Sequence, residues 1–108
     1  GAADWESPPP NQENILALIK NLNAVRREYP EFLRYGKMLK PLHKITADSY
    51  MLHLHDGTLE CESVFHSSWE AADGRRTTFV TNFLPWRQII ELDGRKMELA
   101  PLSAVRVD

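Results

Sequence analysis

The stretch "NLNAVRREYPEFLRYGKML", residues 21–39, holds the change of period on which the fold turns. Up to Glu28 the apolar residues recur at helical spacing. Ile15, Leu18, Leu22, Val25 and Tyr29 form one stripe, and Leu16 and Ile19 widen it. A helix is predicted from about Gln12 to Glu28. Asn11 can cap its start, with Glu13 in the first turn, and Arg26 and Arg27 sit in the last turn, where the helix dipole favours cations. Pro30 should end it, because a proline disfavours helical geometry at the residue before it. Past Gly36 the period drops to that of a strand.

Working outward, strands are predicted near 37–43, 49–55, 60–68, 76–82, 87–92, 95–100 and 102–107. In "SYMLHLH", residues 49–55, Tyr50, Leu52 and Leu54 alternate with Met51, His53 and His55. Asp-Gly pairs at 56–57, 73–74 and 93–94 signal hairpins between these runs. Pro85 and Pro101 fall between strands, where a missing N–H breaks no ladder. The expected fold is mainly β: an antiparallel β-sandwich of about seven strands preceded by one N-terminal α-helix. The organisation reads as an extended lead-in at 1–11, helix and connector at 12–35 and sandwich at 36–108, together one compact domain. The lead-in carries Trp5 and the run Pro8, Pro9 and Pro10, which favours polyproline II.

With 108 residues the chain can bury one modest core. The net charge of −2 comes without any basic run longer than Arg-Arg, so binding to nucleic acid through a phosphate-neutralising face is not expected. No apolar run approaches the ~18–20 residues of a membrane span, and no membrane partner is expected. One cysteine, Cys61, excludes an internal disulfide and reads as a small hydrophobe in a strand. Gly1 looks like the remnant of a removed tag, so the missing signal peptide says nothing about what precedes this chain.

A search for chemistry finds no glycine-rich phosphate loop and no nucleophile elbow. No cofactor is expected. Glu60, Glu62, Glu70 and Asp73 flank hairpins and read as a solvated face. The one metal-like run is "HLHDGTLE", in which His53, His55 and Glu60 resemble the His-x-His-(four)-Glu motif of cupin-type β-barrels. Imidazole and carboxylate together suit a divalent ion. Ala47 and Ser67 stand where that motif has glycines, and its second half is missing. His43 and His66 have no partner pattern. Trp69 and Trp86 are the candidate carbohydrate-binding residues, because an exposed indole stacks on a sugar ring. The alternative is that each covers one end of the core.

"AVRREYPEFLRYGKML" resembles the end of the catalytic barrel in (β/α)₈ glycoside hydrolases of the α-amylase-like and related type. There the last barrel helix carries an Arg-Arg-x-x-Pro-x-Leu-x-x-Gly ending before a C-terminal antiparallel sandwich. The matching residues are Arg26, Arg27, Pro30, Leu33 and Gly36. "SSWEAADGRRTTFVTNF", residues 67–83, looks like a hairpin of those C-terminal domains, and "QIIELDGRKMELAPLSAVRVD" like their closing strands. The resemblance implies a non-catalytic, stabilising accessory domain. It implies a partner, the catalytic barrel of the parent enzyme, packed on Ile15, Leu18, Leu22 and Val25, and sometimes an accessory glycan contact. No barrel strand is present, so no catalytic residue carries over. A secreted or periplasmic location follows only from the habits of such hydrolases. The alternatives are a carbohydrate-binding module using Trp86 and Trp69, and a cupin-like metal site at His53, His55 and Glu60.

Overall fold

The computed structural model describes residues 12–108, so the Asn11 cap, Trp5 and the proline run lie outside the described residues. Helix α1 spans Gln12–Glu28, with Glu13 in its first turn and Arg26 and Arg27 in its last. Pro30 ends α1 and at once opens a single-turn helix, α2, Pro30–Leu33. Tyr29 supplies the break at φ −126°. The proline then suits the first helical position, because its fixed φ is helical and the N–H it lacks would have no partner there. The connector expected between helix and sheet is therefore partly helical. Its turn drives Phe32 into the core at 0% exposure.

Among the described residues nine strands follow: β1 Lys37–Leu39, β2 Ile45–Thr46, β3 Ser49–Leu54, β4 Gly57–Glu62, β5 Val64–Glu70, β6 Arg76–Asn82, β7 Gln88–Leu92, β8 Arg95–Leu99 and β9 Ala104–Arg106. The main sheet has the order β1–β5–β6–β9, the second β2–β7–β8, and β3 pairs with β4 alone. All pairings are antiparallel. The mainly-β architecture behind one long helix is as expected.

The run 60–68, expected as one strand, is two. It breaks at Ser63, which is buried and donates its hydroxyl to the Asp48 carbonyl at 2.6 Å. There the chain leaves the β3–β4 hairpin and enters the main sheet. Turn chemistry explains the rest of the register. Leu92 faces Arg95, so Asp93 and Gly94 are the whole loop, both at positive φ (50° and 84°), as a type I′ turn requires. In β3–β4 the two loop residues are His55 and Asp56, because Leu54 faces Gly57.

The core has two parts, one on each face of the main sheet. Val64, Val80, Ile90 and Leu99 meet between the two sheets, flanked by Ile45, Met97 and Val105. Phe32, Ala71 and Phe79 meet on the opposite face, under the helices, flanked by Val25, Tyr29, Leu33 and Trp69. At about 1.5–3 kcal/mol per large apolar side chain buried, each cluster stabilises the fold by several kcal/mol before chain entropy is counted. Phe32 is the hub of the second. Phe79 meets its ring edge-on at 6.4 Å, and the guanidiniums of Arg75 and Arg106 lie 5.5 and 5.0 Å from its centre. Gly36 lets α2 sit against β5. A Cβ there would stand 2.4 Å from the Phe32 carbonyl oxygen and 2.8 Å from that of Glu70.

No described side chain of the β3–β4 hairpin belongs to either core cluster. Met51 and Leu54 lie on opposite faces of β3, yet both are exposed, as is Leu59. The alternation in "SYMLHLH" therefore makes a strand whose described apolar side chains, Met51 and Leu54, are exposed on both faces.

Candidate docking surface

Helix α1 shows two adjoining sectors, the first apolar throughout and the second apolar toward the N-terminus and cationic toward the C-terminus, which follow from 3.6 residues per turn. Leu18, Leu22, Val25 and Tyr29 fall within about 60° of arc and Ile15, Leu16, Ile19, Asn23, Arg26 and Arg27 within about 120° beside it. The first sector faces the chain's own sheet. All four of its apolar residues are partly covered, and Val25 and Tyr29 pack on the Phe32 cluster. Asn21 fixes the helix's roll by donating to the Leu102 carbonyl at 2.6 Å. The second sector faces outward. Ile15, Leu16 and Ile19 are 50%, 58% and 47% exposed. Of the residues expected to meet a partner barrel, Leu18, Leu22 and Val25 thus turn inward and Ile15 outward, joined there by Leu16 and Ile19.

Two depressions lie along this helix. One, of about 290 Å³, runs between α1 and the main sheet and is walled by Ile19, Leu22, Val25, Phe79 and Thr81. The other, of about 690 Å³, lies at the corner of α1 and α2 and is lined by Asn23, Arg26, Arg27, Pro30, Arg34 and Tyr35. Asn23 and Arg26 belong to both. Arg34 stacks on the exposed Tyr35 ring at 5.2 Å. Among the described residues no carboxylate pairs with Arg26, Arg27 or Arg34. Arg34 and Tyr35 were not singled out in the sequence, because Pro30 separates them from the helical stripe. The recurrence of arginine across that proline was the available signal.

The other expected site residues fall elsewhere. Trp69 is half-buried on β5, packs on the Phe32 cluster and donates its indole N–H to Ser67 at 2.9 Å. Trp86, also half-buried, follows β6, and its carbonyl accepts from the Asn82 amide at 2.8 Å. Trp69 faces Thr77 at one end of β6, and Trp86 is anchored at Asn82 at the other, roughly 17 Å along the strand. They do not form one platform. His53 and Glu60 share a face of the exposed hairpin as a diagonal pair, and His55 lies in its turn. Among the described residues no three of His, Cys, Asp and Glu converge as a metal ion requires. Cys61 is only half-buried and lines a depression of about 440 Å³ at the hairpin's base, with His66, Glu60, Glu62 and Ser63. Glu70 and Asp73 are paired, with Arg76 at 2.8 Å and Arg75 at 2.7 Å.

No family model, curated protein or solved structure matches this chain.

His43, which showed no partner pattern, is held between two carboxylates. Its Nδ1 lies 2.5 Å from Asp93 and its Nε2 2.8 Å from Asp108. A neutral imidazole has one N–H, so only the imidazolium can donate to both. The bond to Asp108, then that to Asp93, raises the His43 pKa above its ordinary 6.5. Asp93 is lowered by His43 and by the Lys44 amide, which donates at 2.8 Å. Partial burial works to raise Asp108, but His43, the Thr78 amide and the Thr77 hydroxyl outweigh it and hold the carboxyl below its ordinary value. This clasp joins the β7–β8 turn, the β2 approach and residue 108.

Proposed function

We propose that this chain is a non-catalytic accessory domain of a glycoside hydrolase that stabilises its catalytic barrel by packing on it through α1. The observation that carries this reading is the second apolar sector of α1. A surface helix belonging wholly to one domain is apolar on one stripe and polar outside it. Here Ile15, Leu16 and Ile19 extend the apolar surface outward, beyond what the chain's own sheet covers. Contiguous exposed apolar surface marks an interaction site. The junction resembling the end of a hydrolase barrel supports the same reading, since Pro30 ends α1 and opens α2, which Gly36 seats against β5.

The test is to read the coding frame upstream of Ala2 and assay the purified chain. Several hundred residues of alternating strand and helix, with acids at strand ends, support the proposal. The chain alone should cleave no glycoside. An unrelated domain upstream, or turnover of any glycoside by residues 1–108, would overturn it.

A further inference from the structure

The outward sector of α1 changes chemistry along its length. Its N-terminal half presents Ile15, Leu16 and Ile19, and its C-terminal half Arg26 and Arg27, with Arg34 of the following segment beside them. The apolar and cationic halves are continuous, because the two depressions share Asn23 and Arg26. Guanidiniums lining one recess repel each other, and a carboxylate offering paired oxygens relieves that repulsion with directional bonds. Glu28 and Glu31 lie in the same stretch of chain, yet neither pairs with these arginines. The outward Tyr35 ring, 70% exposed, closes one side of the recess.

We infer that this sector docks an acidic amphipathic helix running antiparallel to α1, with Asp or Glu in its first turns and aliphatic residues after them. The antiparallel sense follows from charge. Carboxylates are favoured in a helix's first turn, and α1 offers cations in its last. Antiparallel alignment puts the partner's first turn against Arg26, Arg27 and Arg34, and its aliphatic turns against Ile19, Leu16 and Ile15. It also places the positive end of one helix dipole beside the negative end of the other. Taken with the accessory-domain reading, on which only the partner's owner depends, this helix belongs to the catalytic domain.

The probe is a labelled synthetic peptide with glutamates in its first turn and leucines at helical spacing beyond, followed by fluorescence anisotropy against the intact chain. Three controls accompany it: the glutamine peptide, the peptide with serines for leucines, and the Arg26→Gln, Arg27→Gln, Arg34→Gln protein, with its fold checked by circular dichroism. The altered side chains are exposed, so folding should survive. Saturable binding that weakens by about tenfold or more in each control, and weakens further as salt is raised, is expected. Equal affinity for the arginine variant would overturn the inference, as would no saturation up to about 1 mM peptide. Arginine-dependent binding of an acidic oligosaccharide such as oligogalacturonate, with none of the peptide, would also overturn it and make the recess a glycan site. The peptide result does not depend on the upstream coding frame, so the inference and the hydrolase reading can fail separately.

Discussion

Replacing Gly36 by alanine adds one methyl group at the most crowded of the described glycines. That carbon would stand 2.4 Å from the Phe32 carbonyl oxygen, 2.8 Å from the Glu70 carbonyl oxygen and 2.9 Å from the Phe32 Cα. All three atoms are backbone, and they belong to different elements, α2 and β5. No side chain can rotate away, so α2 must lift from the sheet edge. Lifting it unseats Phe32 and loosens the Lys37–Glu70 end of the β1–β5 ladder. Overpacking costs about 1–3 kcal/mol where neighbours can adjust, and immovable backbone puts this site at the upper end, roughly 3 kcal/mol. The gain from stiffening the unfolded chain, at most about 1 kcal/mol, reduces the net loss to about 2. For a domain of this size that lowers Tm by roughly 8–16 °C. Gly74→Ala is the control. Its Cβ would meet nothing within 4 Å, so only its positive φ of 89° opposes alanine. Calorimetry on both variants decides the matter. A Gly36→Ala protein melting within about 2 °C of the parent would refute the reasoning.

Asn82→Leu, at a fully buried site, should cost about 3 kcal/mol, because three backbone groups lose their bonds: the part-buried Trp86 and Ala100 carbonyls and the buried Leu84 amide. Urea titration followed through Trp emission reads this, and a midpoint like the parent's would contradict it. Phe32→Ala, at a site with 0% exposure, should cost roughly 3–5 kcal/mol, measured the same way. His43→Gln should remove a pH-dependent increment of stability. The His43 pKa is raised on folding, so its contribution is complete below 6.5 and fades as pH rises through the folded value. Asp93 and Asp108 are lowered, so theirs is complete above about their ordinary 3.8 and fades as pH falls through the folded values. The parent-minus-variant difference should therefore peak between these limits. A difference flat from pH 4 to 9 would count against the clasp.

What was legible in the sequence is what local chemistry dictates. The helix over Gln12–Glu28 follows from its period, and each Asp-Gly pair lies at a hairpin, although only Asp93-Gly94 is itself the two-residue loop. The interior of "RTTFVTNF" reads as a strand in any context. The missed features depend on distant chain. Ser63 breaks a continuous strand signal because Asp48, fifteen positions away, accepts its hydroxyl. The partners of His43 lie 50 and 65 positions off. β2, two residues long, has no period to detect. The wide stripe on α1 was visible, but which of its sectors meets the chain's own sheet is set by the roll of the helix, and that by Asn21 reaching Leu102.

Strand β6 carries Phe79 and Val80 as neighbours, one in each hydrophobic cluster. The helical layer and the second sheet therefore lean on a shared wall. Neither can detach without exposing that wall, so the two should melt as one cooperative unit. Amide protons over 77–82 should exchange with solvent only through global opening, whereas the β3–β4 hairpin, paired with no other strand among the described residues, can open by itself. A partner seated on α1 would slow exchange at the far face of the sandwich without touching it.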